Sequence, residues 1–182
     1  MLKKVGTVVI LAITTVLSAS ATRALAEPAW DQHYNYPPHP TGRTGIEKVF
    51  GKPCTLNARL NSLGWRAADD GKTYIIRYHK RLGGTDSSNL HPDVRMHHYM
   101  GDLDPQVRRG IWGYNCRKKR GGSEYSTHAY GIAVDINSAY EHLGHYHCHT
   151  VTTAIGKVWQ GHGWRWGNTW GDCMHFQYAS GY

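Results

Sequence analysis

The chain has 182 residues, 40% of them hydrophobic, with 21 Gly, 7 Trp and 12 Tyr but only 2 Phe, a globular composition. Its formal charge of +8 favours anionic polymers such as cell-wall polyanions as partners. No basic-aromatic recognition module accompanies that charge, so nucleic acid is set aside.

Met1 to Lys4 form a positive leader, and Val5 to Leu17 an apolar run of about 13 residues. A helix of that length reaches about 20 Å, short of the roughly 30 Å hydrocarbon core of a bilayer. Ala24-Leu25-Ala26 then supplies a small–x–small cleavage pattern. A signal peptide is therefore expected over residues 1–26, with the mature chain starting near Glu27 and no later membrane span. The remaining stretch of about 156 residues is the size of one domain. Without Lys3, Lys4 and Arg23 its charge is +5. The expected location is secreted, periplasmic or associated with the cell wall.

Glu27 to Thr44, with Pro28, Pro37, Pro38 and Pro40, reads as an irregular arm ahead of a domain over residues 45–182. "GIEKVFG" predicts a helical turn. In "TLNARLNSLGW", Leu56, Leu60 and Leu63 have helical spacing and Gly64 is a stop, so a helix is expected. "TYIIRYHKRL" favours a strand, Gly83 to Asn89 a loop, and Asp93 to Gly110 short helical pieces around "GDLDP". "GIAVDIN" alternates as a strand, with Ile132, Val134 and Ile136 on one face and Ala133, Asp135 and Asn137 on the other. "TVTTAIGKVWQGHGW" predicts a helix ending at Gly161 or Gly163, and "WRWGNTWGDCMHFQYA" two short strands around a Gly-Asn turn. Strands and helices mix without regular alternation, which indicates α+β. Cys54, Cys116, Cys148 and Cys173 suggest two disulfides in an exported domain, with three pairings open. A four-cysteine zinc site is the rival, but it lacks any C-x-x-C pair.

Asp135 is the residue that needs explaining, because an unpaired carboxylate is costly inside a strand. In a helix, His128 and Asp135 would lie about 10 Å apart along the axis, too far for one metal. With His128 before a turn at Gly131 and Asp135 on the polar face of the next strand, the two side chains converge. His175 in "GDCMHFQY" supplies a third ligand, and Asp172 lies three positions ahead of it. Two His, one Asp and an open position make the catalytic type of zinc site. Asp172 would stand beside the metal as a general base.

At these residues the chain resembles the zinc D-alanyl-D-alanine peptidases, the VanY/VanX-like group of carboxypeptidases and L-alanyl-D-glutamate endopeptidases. "Ser126-x-His128-x-x-Gly131-x-Ala133-x-Asp135" matches their signature, and "Asp172-x-x-His175-Phe176" is similar to their closing motif. The resemblance covers about Gly113 to Tyr178. It implies zinc ligands His128, Asp135 and His175, with Asp172 as base where many members carry Glu. It also implies a substrate-contacting Arg ahead of the signature, for which Arg117 is the candidate and Arg120 its rival, and a polar contact from Ser126. The implied fold is hedgehog/DD-peptidase-like, a small antiparallel sheet with flanking helices. The implied substrate is the peptide stem of peptidoglycan, cut as a carboxypeptidase or an endopeptidase.

Plainer readings stand beside these. A single His is usually structural, and "RKKR" is a charge run of the kind that forms solvated loops. His142, His145, His147 and His149 could put three imidazoles on one strand face, but an exposed His-rich loop is the favoured reading. Trp159, Trp164, Trp166 and Trp170 are expected in the core rather than on a sugar platform. The functional alternatives are a non-catalytic zinc-containing wall-binding module and a secreted His-rich metal-binding protein.

Overall fold

A computed structural model of the chain describes residues 38–55, 59–83, 106–161 and 163–182. The expected signal peptide, most of the proline-rich arm and most of the segment from Gly83 to Gly110 lie outside the described residues.

Helix α1 spans Gly42–Phe50, starting three residues before the expected turn. It buries Ile46 and Phe50, four apart on one face, and ends where Gly51 (φ 85°) turns its N–H back to the Glu47 carbonyl. Strand β1 (Leu60–Arg66) pairs antiparallel with β2 (Thr73–His79), from Leu60 opposite His79 to Arg66 opposite Thr73. The helix expected through this leucine-spaced segment is thus corrected to a strand over its described part. Asn61, Ser62 and Gly64 are poor helix formers, and the segment's burial alternates, with Trp65 and Ala67 inside and Gly64 and Arg66 outside. Seven residue pairs along β2 outweigh the 4-3 spacing of three leucines. The strand expected at Tyr74 to Tyr78 is present as β2.

The second sheet is built from the C-terminal half. Strand β3 (Ala133–Asp135) and strand β4 (Arg165–Trp166) flank β5 (His175–Gln177), both antiparallel to it. Ile132, Val134 and Ile136 are buried, as their alternation requires. Helix α2 (Thr153–Gly161) ends at the expected glycine and buries Ile155, Gly156 and Trp159. Gly156 gives the helix a bare face: a Cβ there would stand 2.2 Å from the Trp166 ring. Trp159 and Trp166 both stack on the fully buried Phe176, with ring centroids 4.7 and 6.1 Å away. Burying one such aromatic contributes about 1.5–3 kcal/mol. Of the four tryptophans expected inside, Trp159, Trp164 and Trp166 are core, whereas Trp170 is 38% exposed.

The architecture is α+β, with two small antiparallel sheets and two helices among the described residues. The cysteines form two disulfides, Cys54–Cys116 and Cys148–Cys173. No helix of the described residues is long and apolar enough to cross a membrane.

Candidate functional site

The site is assembled by the register of the second sheet. Asp135 in β3 lies directly opposite His175 in β5, which brings their side chains onto neighbouring positions of one face. His128 arrives from a single 3-10 turn, Thr127–Tyr130, that runs into β3. Ser126 caps that turn, its Oγ accepting from the His128 N–H at 3.4 Å. Gly131 closes it in the left-handed region (φ 68°), where a Cβ would also meet the His79 nitrogen at 2.9 Å. The turn-then-strand arrangement expected of this signature is the one observed.

The three donor atoms form a nearly equilateral triangle. His128 Nε2 lies 3.1 Å from Asp135 Oδ1 and 3.2 Å from His175 Nδ1, and His175 Nδ1 lies 3.0 Å from Asp135 Oδ1. An ion bound at about 2.05 Å from each corner would sit about 1 Å above that triangle, with a fourth tetrahedral position open. Among the described residues this is the group of His, Cys, Asp and Glu whose donor atoms lie within 4.8 Å of one another.

The outer nitrogens decide the tautomers. His128 Nδ1–H donates to the Gly113 carbonyl at 2.7 Å, and His175 Nε2–H donates to Gln177 Oε1 at 3.0 Å. Each imidazole therefore turns a lone pair inward. Two lone pairs and a carboxylate oxygen at this spacing repel one another unless a cation or a proton lies among them. The donor set of two nitrogens and one oxygen suits zinc or a similar borderline divalent ion.

Gly113 can serve His128 because its backbone passes very close to β2: a Cβ there would lie 2.4 Å from the Arg77 carbonyl. Thr127 Oγ1 also donates to Gln177 Oε1, at 3.1 Å, and Gln177 Nε2 donates to the Ala179 carbonyl at 3.1 Å. Gly113, Thr127 and Gln177 are site residues that motif reading passed over. The strand period offered a signal for Gln177, since 175 and 177 share a face of β5.

The two carboxylates are driven apart. Burial alone would raise Asp135, but His128 and His175, when protonated on their inward nitrogens, hold it well below the usual carboxylate range through charge and hydrogen bonds. Asp172 is raised by burial, an effect that outweighs the nearby His175. Its buried Oδ1 has no hydrogen-bond partner among the described residues. His175 is raised in turn, because its hydrogen bond to Asp135 and that group's charge overcome the effect of burial.

Asp172, Arg117, Ser126, Trp112 and Trp170 line a cleft of about 780 Å³ that opens on the three donor atoms. Arg117 is half-buried there, donates to the Lys118 carbonyl at 3.3 Å and adds positive charge near Asp172. Arg120, its rival, lines the same cleft but is exposed. His142 reaches the rim, and His145, His147 and His149 lie on the exposed loop expected of them rather than on a strand.

Residues 120–178, about a third of the chain, match the family model described as D-alanyl-D-alanine carboxypeptidase. That is the family whose motifs the sequence resembles, and the matched stretch contains Ser126, His128, Asp135, Asp172 and His175 but not Arg117. No curated protein and no solved structure matches the chain.

Proposed function

We propose that this chain, which carries the D-alanyl-D-alanine carboxypeptidase family's pattern, is an exported zinc peptidase that hydrolyses an amide bond in the peptide stem of peptidoglycan. One observation carries the reading: two inward lone pairs and a carboxylate oxygen converge at 3.0–3.2 Å on the floor of a cleft beside Asp172, whose buried Oδ1 has no hydrogen-bond partner among the described residues. Two disulfides support export, since such bonds persist in oxidising compartments.

His128 Nε2, Asp135 Oδ1 and His175 Nδ1 would hold the zinc. Bound there, it would supply Lewis-acid polarisation and make water acidic enough to act as a nucleophile near neutral pH. Asp172 receives the proton of the attacking water on its carboxylate and delivers it to the leaving amine. Its burial suits that exchange, because a raised pKa makes the carboxylate a stronger base than an exposed Asp. Arg117 orients a carbonyl or carboxylate of the substrate and offsets the negative charge that develops on the scissile oxygen. Ser126 holds the turn that carries His128 and presents a polar edge to the cleft.

A wall-binding module without catalysis would have no use for an unsatisfied carboxylate in the cleft, which costs stability. The test is mass spectrometry of peptidoglycan fragments after incubation with purified protein, with and without a chelator. Released D-Ala or split stem peptides that vanish with chelator are the expected result. Unchanged fragments in both arms, with zinc bound, would overturn the enzymatic reading.

A further inference from the structure

The loop from Glu141 to Val151 is held far more firmly than an exposed polar segment requires. Glu141 is 1% exposed, and its carboxylate accepts from the backbone N–H groups of His149 (3.2 Å), Thr150 and Val151 (3.0 Å) and from the Thr150 hydroxyl at 2.9 Å. Cys148 is tied to Cys173, and the Gly144 N–H donates to the Gly171 carbonyl at 2.7 Å. This fixed base carries three exposed imidazoles in two neighbouring pairs. The rings of His142 and His145 have centroids 5.7 Å apart, and those of His145 and His149 6.5 Å apart.

These spacings have a chemical meaning. Two imidazoles that share an ion at about 2.1 Å from each nitrogen have centroids about 5–6.5 Å apart, depending on the angle at the metal. The His142–His145 spacing falls inside that range and the His145–His149 spacing at its wide-angle end, so His149 closes on a shared ion by a side-chain rotation. Their nitrogens do not yet lie as close as those of the first site, but the rings are exposed and turn about their side-chain bonds without displacing the core. The one carboxylate of the loop is committed to backbone N–H groups, so the donors are imidazole nitrogens alone. Such a set selects borderline-soft transition ions and gives Mg²⁺ or Ca²⁺ nothing to bind.

We propose that His142, His145 and His149 form a second cation site, for Zn²⁺, Ni²⁺ or Cu²⁺, on the rim of the cleft. It is separate from the 128/135/175 centre and binds more weakly, since its ligands must first be brought together. Because His142 lines the cleft, and His145 pairs through its backbone with Asp172, the second ion sits where it adds positive charge to the entrance.

Equilibrium dialysis of the full chain against Ni²⁺, followed by elemental analysis, tests this without any activity measurement. Two equivalents are expected, one tight and one weak. The double variant His145→Ala/His149→Ala keeps the tight equivalent and loses the weak one. His175→Ala loses the tight equivalent and keeps the weak one. His147→Ala, which belongs to neither ring pair, keeps both. The proposal is overturned if the double variant still binds two equivalents, if His147→Ala abolishes the weak one, or if both equivalents disappear together in His175→Ala. Exposed His145 and His149 carry no core packing, and an unchanged melting temperature of the double variant identifies a loss of metal as a loss of ligands.

Discussion

Gln177→Leu gives the sharpest test of how the site is tuned, because Gln177, at the cleft wall, reaches the donor triangle only through His175. The side chain is 6% exposed and satisfies three groups: Thr127 Oγ1–H, His175 Nε2–H and the Ala179 carbonyl. Leucine fills a similar volume and removes all of these bonds. Left with only the Thr127 hydroxyl, 3.3 Å from Nε2, as an acceptor, His175 gains by moving its proton to Nδ1, where Asp135 Oδ1 waits 3.0 Å away. That tautomer has no lone pair for an ion. A buried hydrogen bond to a charged group is worth about 1.5–3 kcal/mol, so binding must now work against roughly that amount. The corresponding loss of zinc affinity is about 10–100-fold, the range typical when a ligand's outer partner is removed. A competition titration against a chromophoric chelator measures it, and nitrogen chemical shifts of the His175 ring in the metal-free protein report the tautomer. Gln177→Glu, which keeps an acceptor, should bind zinc at least as well as the parent. A folded Gln177→Leu protein with affinity within twofold of the parent would refute the argument.

Asp172→Ala should leave zinc bound while lowering the rate of stem-peptide cleavage by about 100-fold or more, measured by product release, and full activity would end its role as base. Replacing Cys54 and Cys116 by Ser opens a 62-residue loop and should lower stability by about 4 kcal/mol, read from urea midpoints. Gly156→Ala drives a methyl group into the Trp166 ring and should cost about 1–3 kcal/mol, seen as a lower melting temperature with little change at the metal centre. Burial holds His79 neutral in the fold down to about pH 4, whereas the unfolded chain takes up a proton below about 6.5. Stability therefore falls as pH drops through that window, by up to about 3 kcal/mol, and His79→Gln should flatten the slope of urea midpoint against pH.

What could be read from residues alone depended on how local the cause was. The turn at Gly131, the alternation of Ile132, Val134 and Ile136, and the glycine-terminated α2 follow from short-range rules, and all three stand in the structure. Segment Leu60–Arg66 did not yield to the same rules, because its strand exists through pairing with β2 rather than through its own pattern. The tautomer-setting partners were hidden for a related reason. Gly113 reaches His128 from 15 positions away, and only because β2 lets its backbone pass so closely. No spacing rule contains that contact.

Asp135 and Asp172, two of the acidic residues that line the cleft, make the strongest physical case for a division of labour. They share one cleft, yet their surroundings push them in opposite directions: imidazoles hold Asp135 ionised, while burial without a hydrogen-bond partner at Oδ1 raises Asp172. Where environments separate two carboxyl groups in this way, the depressed one is suited to permanent negative charge and the raised one to proton exchange. Those are the needs of a metal ligand and of a general base. The register of β3 on β5 and the three-residue step from Asp172 to His175 put each carboxyl group in its own surroundings. A one-residue slip of β5 against β3 would turn His175 away from Asp135 and dismantle the donor triangle. The proposed chemistry and the sheet register therefore stand or fall together.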